Sequence, residues 1–297
     1  MSAYYGHPSA HIENDHLRVD FLTHAGPRIV GLRVKASAEN IFAETPSIGW
    51  DAPRGMFHLY GGHRLWIAPE KPDRTYVPDD DGVIVTPIDQ GIELTGKVDS
   101  VLGIRKRLSL TLDRDHARAE ITHRIDNLGS SVIDLAPWAI TQLPHGGRSF
   151  LPQTIGVFPP DDPNAAFLPN RHLVLWNYTR IHDPRLHLDD TCVTLDALPL
   201  MPPIKIGYLN TPGWAAYLRG DVLFIKRFDP CADRLHSDRN TNVTVYCNDQ
   251  FAELETLGAL SALQPGDHVE HVERWEVIAG VDPSSPFEQI IRICGAD

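Results

Sequence analysis

Glu253 and Glu255 stand two residues apart in "FAELETL", residues 251–257. Successive side chains of an extended strand point to opposite faces, so Phe251, Glu253 and Glu255 share one face and Ala252 and Leu254 the other. Two carboxylates beside an aromatic ring make a poor core but a reasonable wall for a polyol site. The same pattern fits a solvated sheet face bearing ordinary surface charges. Lys226 in "VLFIKRF" shares a strand face with Val222, Phe224 and Phe228. A lysine there needs a carboxylate partner or an anionic ligand, because burying an ammonium alone is costly. Glu255 is the expected partner.

The stretch "YGGHRLWIAPE", residues 60–70, gathers further polar chemistry. It reads as an ordered loop in which Gly61 and Gly62 permit a close backbone approach. Arg64 offers a planar fork of donors for vicinal hydroxyls, a carboxylate or a phosphate, and Glu70 can accept from hydroxyls. The two could equally form an ion pair that holds the loop's shape. Trp66 reads as a packing anchor. His63, in the same loop, and His145, in "LPHGG", could exchange protons near neutral pH. With 15 histidines in the chain, most must be surface or core groups, and His123 on the apolar face of its strand reads as core. A divalent ion among His58, His63, Glu70 and Glu255 is an alternative arrangement. "HDPRLHLDD", residues 182–190, mixes metal-capable side chains without a defined ligand spacing. No metal and no cofactor are expected, and there is no P-loop, dinucleotide fingerprint or G-x-S-x-G elbow.

The elements that would hold these residues are strands. In "RKRLSLTL" Leu108, Leu110 and Leu112 face one way. In "ARAEITHRID" Ala117, Ala119, Ile121, His123 and Ile125 do the same, and the two runs flank "DRDH" as a hairpin. Similar alternation marks 17–22, 28–34, 132–138, 222–228, 241–247, 251–257 and 270–278. One helix is expected, in "SSPFEQIIRIC", with Ser285 as N-cap, Pro286 at its first position and Glu288 completing a capping box. Phe287, Ile290 and Ile291 would form its buried stripe. Two Pro-rich stretches, 45–81 and 152–169, read as long ordered loops. No repeat or linker interrupts the chain, so residues 1–297 read as one all-β domain, a large antiparallel sandwich with a short C-terminal helix.

The chain has 297 residues, 42% hydrophobic and 22% charged, which is ample for a core without staples. A net charge of −12 argues against nucleic acid or an anionic membrane as partner, since phosphate would be repelled. Cys192, Cys231, Cys247 and Cys294 form no CxxC pair and read as reduced, buried thiols. The N-terminal "MSAYYGHPSAHIEND" lacks a signal peptide's basic and apolar regions, and no run reaches the roughly 20 apolar residues of a membrane helix. A soluble, cytoplasmic protein is expected.

Several segments together resemble the galactose mutarotase-like (aldose 1-epimerase) superfamily. "LRVDFLTHAGPRIVGLRV" is similar to its first hairpin, and "HRIDNLGSSVIDLAPWAITQL" to the strand, turn and strand that carry its catalytic histidine. "GGHRLWIAPE" resembles a GG–Arg–Trp–Pro loop lining the sugar site, and "FAELETLGALSALQPGDHVEHVERWEV" the closing strands. The resemblance implies an antiparallel β-supersandwich, a small carbohydrate as partner and ring-opening chemistry, in which a base takes the anomeric hydroxyl proton and an acid protonates the ring oxygen. It implies Glu255 as the base. At the place of the family's Asn-His pair this chain reads "APW", so Trp138 stands where the catalytic histidine would be, and an indole transfers no proton at neutral pH. His63, His145 and Lys226 are the expected substitutes. Arg64, Glu70, Trp138, Gln142 and Glu253 are the expected substrate contacts.

Three functions follow as expectations: a mutarotase- or epimerase-like isomerase, a non-catalytic carbohydrate-binding protein, and a metal-dependent or lyase-type enzyme on the same scaffold.

Overall fold

A computed structural model describes residues 2–35, 37, 39–154, 161, 163, 167–283 and 287–295. Two large sheets carry the structure. From one edge, the first sheet begins β1 (Ser2–Tyr4), β2 (His7–Glu13), β3 (Leu17–Leu22), β4 (Arg28–Val34) and β7 (His63–Ala68). It continues through β12 (Ile133–Leu143), β21 (Ala252–Leu257), β20 (Val243–Cys247), β17 (Ile204–Tyr208) and β14 (Val174–Leu175), with β22 (Ser261–Leu263) beside β12. The second sheet begins β15 (Leu186–Leu188), β16 (Cys192–Asp196), β13 (Gly147–Pro152), β18 (Trp214–Arg219) and β19 (Val222–Phe228). It ends β23 (His268–Ala279), β11 (Arg118–Asn127), β10 (Ile104–Leu112), β9 (Gly91–Asp99) and β8 (Ile84–Ile88). A separate hairpin pairs β5 (Glu44–Ala52) with β6 (Gly55–Gly61). Two single turns of helix, α1 (Pro72–Thr75) and α2 (Ser237–Asn240), lie in the connections.

Alternation explains the layering. Leu65, Ile67, Ala252 and Leu254 of the first sheet meet Leu108, Leu110, Ile121, Phe224 and Trp275 of the second in one core. Fully burying such a side chain is worth about 1.5–3 kcal/mol, so each strand is held by the face it turns inward. The hairpin around residues 113–116 forms as its pattern requires, with Leu112 opposite Ala119, Leu110 opposite Ile121 and Leu108 opposite His123. The strands at 17–22, 28–34 and 222–228 have the expected bounds.

The stretch 45–81 is not a long loop. It contains most of the β5–β6 hairpin, all of β7 and α1. Its prolines punctuate rather than prevent the strands: Pro46 falls where the β5–β6 register shifts, between Thr45 and Gly49, and Pro53 lies in the turn between the two strands. "YGGHRLWIAPE" is therefore mostly a buried central strand, not a loop; Gly61 and Gly62 both have positive φ where the chain turns from β6 into β7. The other Pro-rich stretch lies largely outside the described residues.

Helix α3 (Phe287–Gly295) sets Ile290 and Cys294 against Phe150, Trp214 and Ile225 on the second sheet's outer face, with Ile291 half-buried beside them. The expected cap at Ser285 and Pro286, and the Phe287 side chain, lie outside the described residues. All four cysteines are free thiols; Cys192, Cys247 and Cys294 are buried, whereas Cys231 is only partly so. Among the described residues no helix is long and apolar enough to cross a membrane.

Candidate functional site

The outer face of the first sheet, turned away from the second, carries a row of polar and aromatic groups where solvent-facing charges would be ordinary. Strand register builds the row. Trp66 pairs with Trp138 and Arg64 with Ile140 across β7 and β12. Ile140 pairs with Glu255 and Gln142 with Glu253 across β12 and β21. Thr244 and Tyr246 of β20 stand opposite Glu255 and Glu253, and Lys205 of β17 opposite Tyr246. Phe251 and Leu257 join Trp66, Trp138 and Ile140 in a second apolar cluster, covered by Phe57 and Leu59 of the β5–β6 hairpin. The sharing of one face by Phe251, Glu253 and Glu255, and of the other by Ala252 and Leu254, is as alternation requires.

Glu255 is fully buried at 0% exposure. Its Oε2 accepts three hydrogen bonds: from Trp138 Nε1 at 2.8 Å, Lys205 Nζ at 2.8 Å and Thr244 Oγ1 at 2.6 Å. Its Oε1 is buried and has no partner among the described residues. Lys205 Nζ lies over two indoles, 4.5 Å from the ring centre of Trp138 and 4.9 Å from that of Trp176. Arg64, 2% exposed, donates from Nη2 to Glu253 Oε1 at 2.7 Å and lies 4.2 Å over the Trp66 ring. Arg64 Nε and Nη1, Gln142 Nε2 and Trp66 Nε1 are likewise buried without partners. Burial raises the Glu253 carboxyl above its ordinary range, against the pull of Arg64, and burial lowers the Arg64 guanidinium. Tyr178 stands edge-on to Tyr246 of the same row, ring centres 6.4 Å apart, and its phenol is pushed up by burial and then by Glu255, Tyr246, Glu70 and Glu253.

Several expected partners lie elsewhere. Glu255 does not pair with Lys226. Lys226 and its strand face point between the sheets, whereas Glu255 points out, so Lys226 meets Glu273 instead, Nζ to Oε1 at 2.7 Å. His63 also points inward, because on β7 it is Arg64 and Trp66 that take the outer face. His145 lies in the turn after β12 and donates from Nε2 to the carbonyl of Asn248 at 3.0 Å. Glu70 is exposed beyond the end of β7 and accepts from Tyr76 Oη, not from Arg64. The residues sequence reasoning missed are Lys205, Thr244, Trp176 and Tyr178. Lys205 lies between Ile204 and Ile206, a pattern that reads as a lysine reaching water from the exposed face of a half-buried strand.

The inward groups form a closed network. His123 Nδ1 donates to the carbonyl of His271 at 2.8 Å, which leaves its Nε2 bare. His63 Nε2 donates to that nitrogen at 2.6 Å, and His63 Nδ1 accepts from Thr141 Oγ1 at 2.8 Å. His271 Nε2 donates to Thr256 Oγ1 at 2.7 Å, and that hydroxyl donates to Glu273 Oε1 at 2.5 Å. Trp275 Nε1 donates to Glu273 Oε2 at 2.7 Å. Burial lowers all three histidines, His271 to about 3. Burial would raise Glu273, but Lys226 and the histidines leave its carboxyl below the usual range. His123 is a core residue, as its strand face requires.

His63, His123 and Glu273 offer ligand atoms within 4.8 Å of one another. They fit a divalent ion poorly. The histidine nitrogens are 2.6 Å apart, closer than the roughly 3.3 Å between tetrahedral ligands at ordinary bond lengths. The carboxylate is already neutralised by Lys226. The alternative set of His58, His63, Glu70 and Glu255 does not converge, since His63 is on the opposite sheet face and His58 pairs with Asp80 at 3.1 Å.

The sequence matches no protein-family model and no curated protein. Solved structures do match the fold. A TPR-domain containing protein from Parabacteroides distasonis aligns with a TM-score of 0.64 and 12% identity over 93% of this chain; the chain spans 48% of that protein. A galactose mutarotase-like protein from Lactobacillus casei aligns with a TM-score of 0.54 and 11% identity over 91% of this chain and 100% of its own. A galactose mutarotase related enzyme from Lactobacillus acidophilus aligns with a TM-score of 0.52 and 11% identity over 92% of this chain and 98% of its own. With two large antiparallel sheets, a shared core and a short C-terminal helix, this chain has the galactose mutarotase-like β-supersandwich fold.

Proposed function

We propose that this is a carbohydrate-binding, mutarotase- or epimerase-like protein that acts on a sugar or sugar derivative at the outer face of the first sheet, with Glu255 as base. The observation that carries the reading is a cluster of unpaired buried polar atoms on neighbouring positions of one face: Glu255 Oε1, Arg64 Nε and Nη1, Gln142 Nε2 and Trp66 Nε1. Buried polar groups in proteins are nearly always hydrogen-bonded, so a set left open together implies a ligand that supplies donors and acceptors at once. A polyol does both, and the indoles of Trp66 and Trp138 offer faces for its C–H groups. The three donors all converge on Oε2 and leave Oε1 as the open oxygen, placed to take a proton. The shared core supports one domain, and four free thiols suit the reducing cytoplasm.

The test is anomeric exchange measured by NMR saturation transfer on D-glucose, D-galactose, D-glucuronate and glucose 6-phosphate. Acceleration by the wild type and its loss in Glu255→Gln support the reading. No acceleration of any sugar, or an undiminished rate in Glu255→Gln, removes it. A non-catalytic carbohydrate-binding protein is the second reading, favoured by Trp138 bonding to the carboxylate from the place where the family has histidine. Calorimetry would then register binding without exchange.

A further inference from the structure

We propose that Lys205 is the proton donor that works opposite Glu255, in the place left by the absent histidine. The inference rests on the preceding reading and goes beyond it by naming the acid. Anomeric exchange needs a base on the exocyclic oxygen and an acid on the ring oxygen, and both oxygens are bonded to one carbon. The two catalytic groups must therefore stand side by side.

Lys205 Nζ is 2.8 Å from Glu255 Oε2, and the pair is buried, with Lys205 at 5% and Glu255 at 0% exposure. One ammonium proton serves Glu255, leaving two for an acceptor. The flanking rings of Trp138 and Trp176 offer only π faces. The other basic groups fail on geometry or chemistry. Arg64 lies on the same face, but a guanidinium does not give up its proton in proteins. His63 and Lys226 are engaged between the sheets, and His145 is tied to Asn248.

The proton balance closes. Glu255 Oε1 takes the proton of the anomeric hydroxyl as the C1–O1 bond becomes a carbonyl. The bond from C1 to the ring oxygen breaks, and that oxygen takes a proton from Lys205. The open-chain aldehyde then stands before a neutral carboxyl and a neutral amine. Rotation about C1–C2 and the reverse transfers close the ring as either anomer and restore both ions. No net charge is created beside the buried Lys205 and Glu255, where an isolated charge would be expensive.

The experiment compares wild type, Lys205→Met, Lys205→Arg and Tyr178→Phe on whichever of the four sugars wild type exchanges fastest. Exchange is measured by NMR saturation transfer and binding by calorimetry. The expected result is a ~10²–10⁴-fold loss of kcat in both Lys205 variants, the usual contribution of a general acid. Binding stays within about tenfold, given the roughly 1.4 kcal/mol that this factor represents. Lys205→Arg keeps the positive charge beside Glu255, so it separates loss of a proton donor from loss of a folded site. Either Lys205 variant folded and within about threefold of wild-type kcat, while Glu255→Gln is inactive, overturns Lys205 and leaves Glu255 standing. Loss of exchange in Tyr178→Phe with retention in Lys205→Arg transfers the role to the phenol and also overturns the proposal. A wild type that exchanges none of the sugars removes the underlying reading, and this inference with it.

Discussion

Glu255 presents two unlike oxygens. One is saturated by an indole, an ammonium and a hydroxyl, and the other is bare. This asymmetry suits a group that must receive a proton at a defined atom. Arg64 is arranged in the same way, with Nη2 spent on Glu253 and Nε and Nη1 open. Two roles compete for Arg64: a ligand contact and an ion pair that fixes the strand face. Arg64→Gln distinguishes them. As a contact, it should weaken sugar binding about ten- to hundredfold, from a charged hydrogen bond worth about 1.5–3 kcal/mol. Calorimetry against the sugar that wild type binds best measures this, and unchanged affinity would return Arg64 to the structural role. Glu255 could be named from sequence because the family resemblance singles out its strand, and Arg64 because its guanidinium stands out beside two glycines and a tryptophan even when that stretch reads as a loop. Lys205 could not, because an isolated lysine between two isoleucines is what any half-solvated strand displays.

At the scale of elements, alternation decides which face a group serves, and a one-residue step decides its chemistry. His63 and Arg64 are neighbours in sequence, yet one belongs to the inter-sheet network and the other to the site. Lys226 is likewise a structural ion of β19. Its pairing with Glu273 of β23 stitches two adjacent strands of the second sheet, and a second bond runs from Nζ to the carbonyl of Leu254 in the first. Removing one partner of a buried pair leaves an uncompensated charge. Lys226→Met should therefore cost about 3–5 kcal/mol, and the double variant Lys226→Met with Glu273→Gln should recover part of that loss. Denaturant titration reads both, and a single variant within about 0.5 kcal/mol of wild type would contradict the network's structural role. The hairpin β5–β6 escaped the sequence pattern because its prolines and glycines punctuate an irregular pair whose apolar residues cover the site rather than the main core.

For the whole molecule, the buried histidines set a pH dependence of stability. His63, His123 and His271 are held neutral in the fold by burial, with His271 lowered to about 3 from an ordinary value of 6.5. Below about pH 6.5 the unfolded chain binds protons that the native state does not, so stability falls as pH falls, over the range from about 6.5 down towards the depressed folded values. Glu273 has the opposite kind of group but the same direction: its depressed folded value adds stability above the ordinary carboxylate range that is lost at more acid pH. Melting temperature should drop steadily between pH 7.5 and 5, and His271→Gln should flatten that slope. A flat profile in the wild type would show that these imidazoles titrate freely. The sequence by itself determined the strands with clean alternation, such as 17–22, 28–34 and 222–228, the sandwich class, the C-terminal helix and the faces of 251–257, because period-2 alternation is a local property fixed by backbone geometry and burial. Only the tertiary structure decided that Lys205 and not Lys226 meets Glu255, that three histidines and Glu273 close a network between the sheets, and that "YGGHRLWIAPE" is mostly a buried central strand. Those outcomes depend on which strands become neighbours and in what register, and that is settled by long-range packing rather than by any residue's own type.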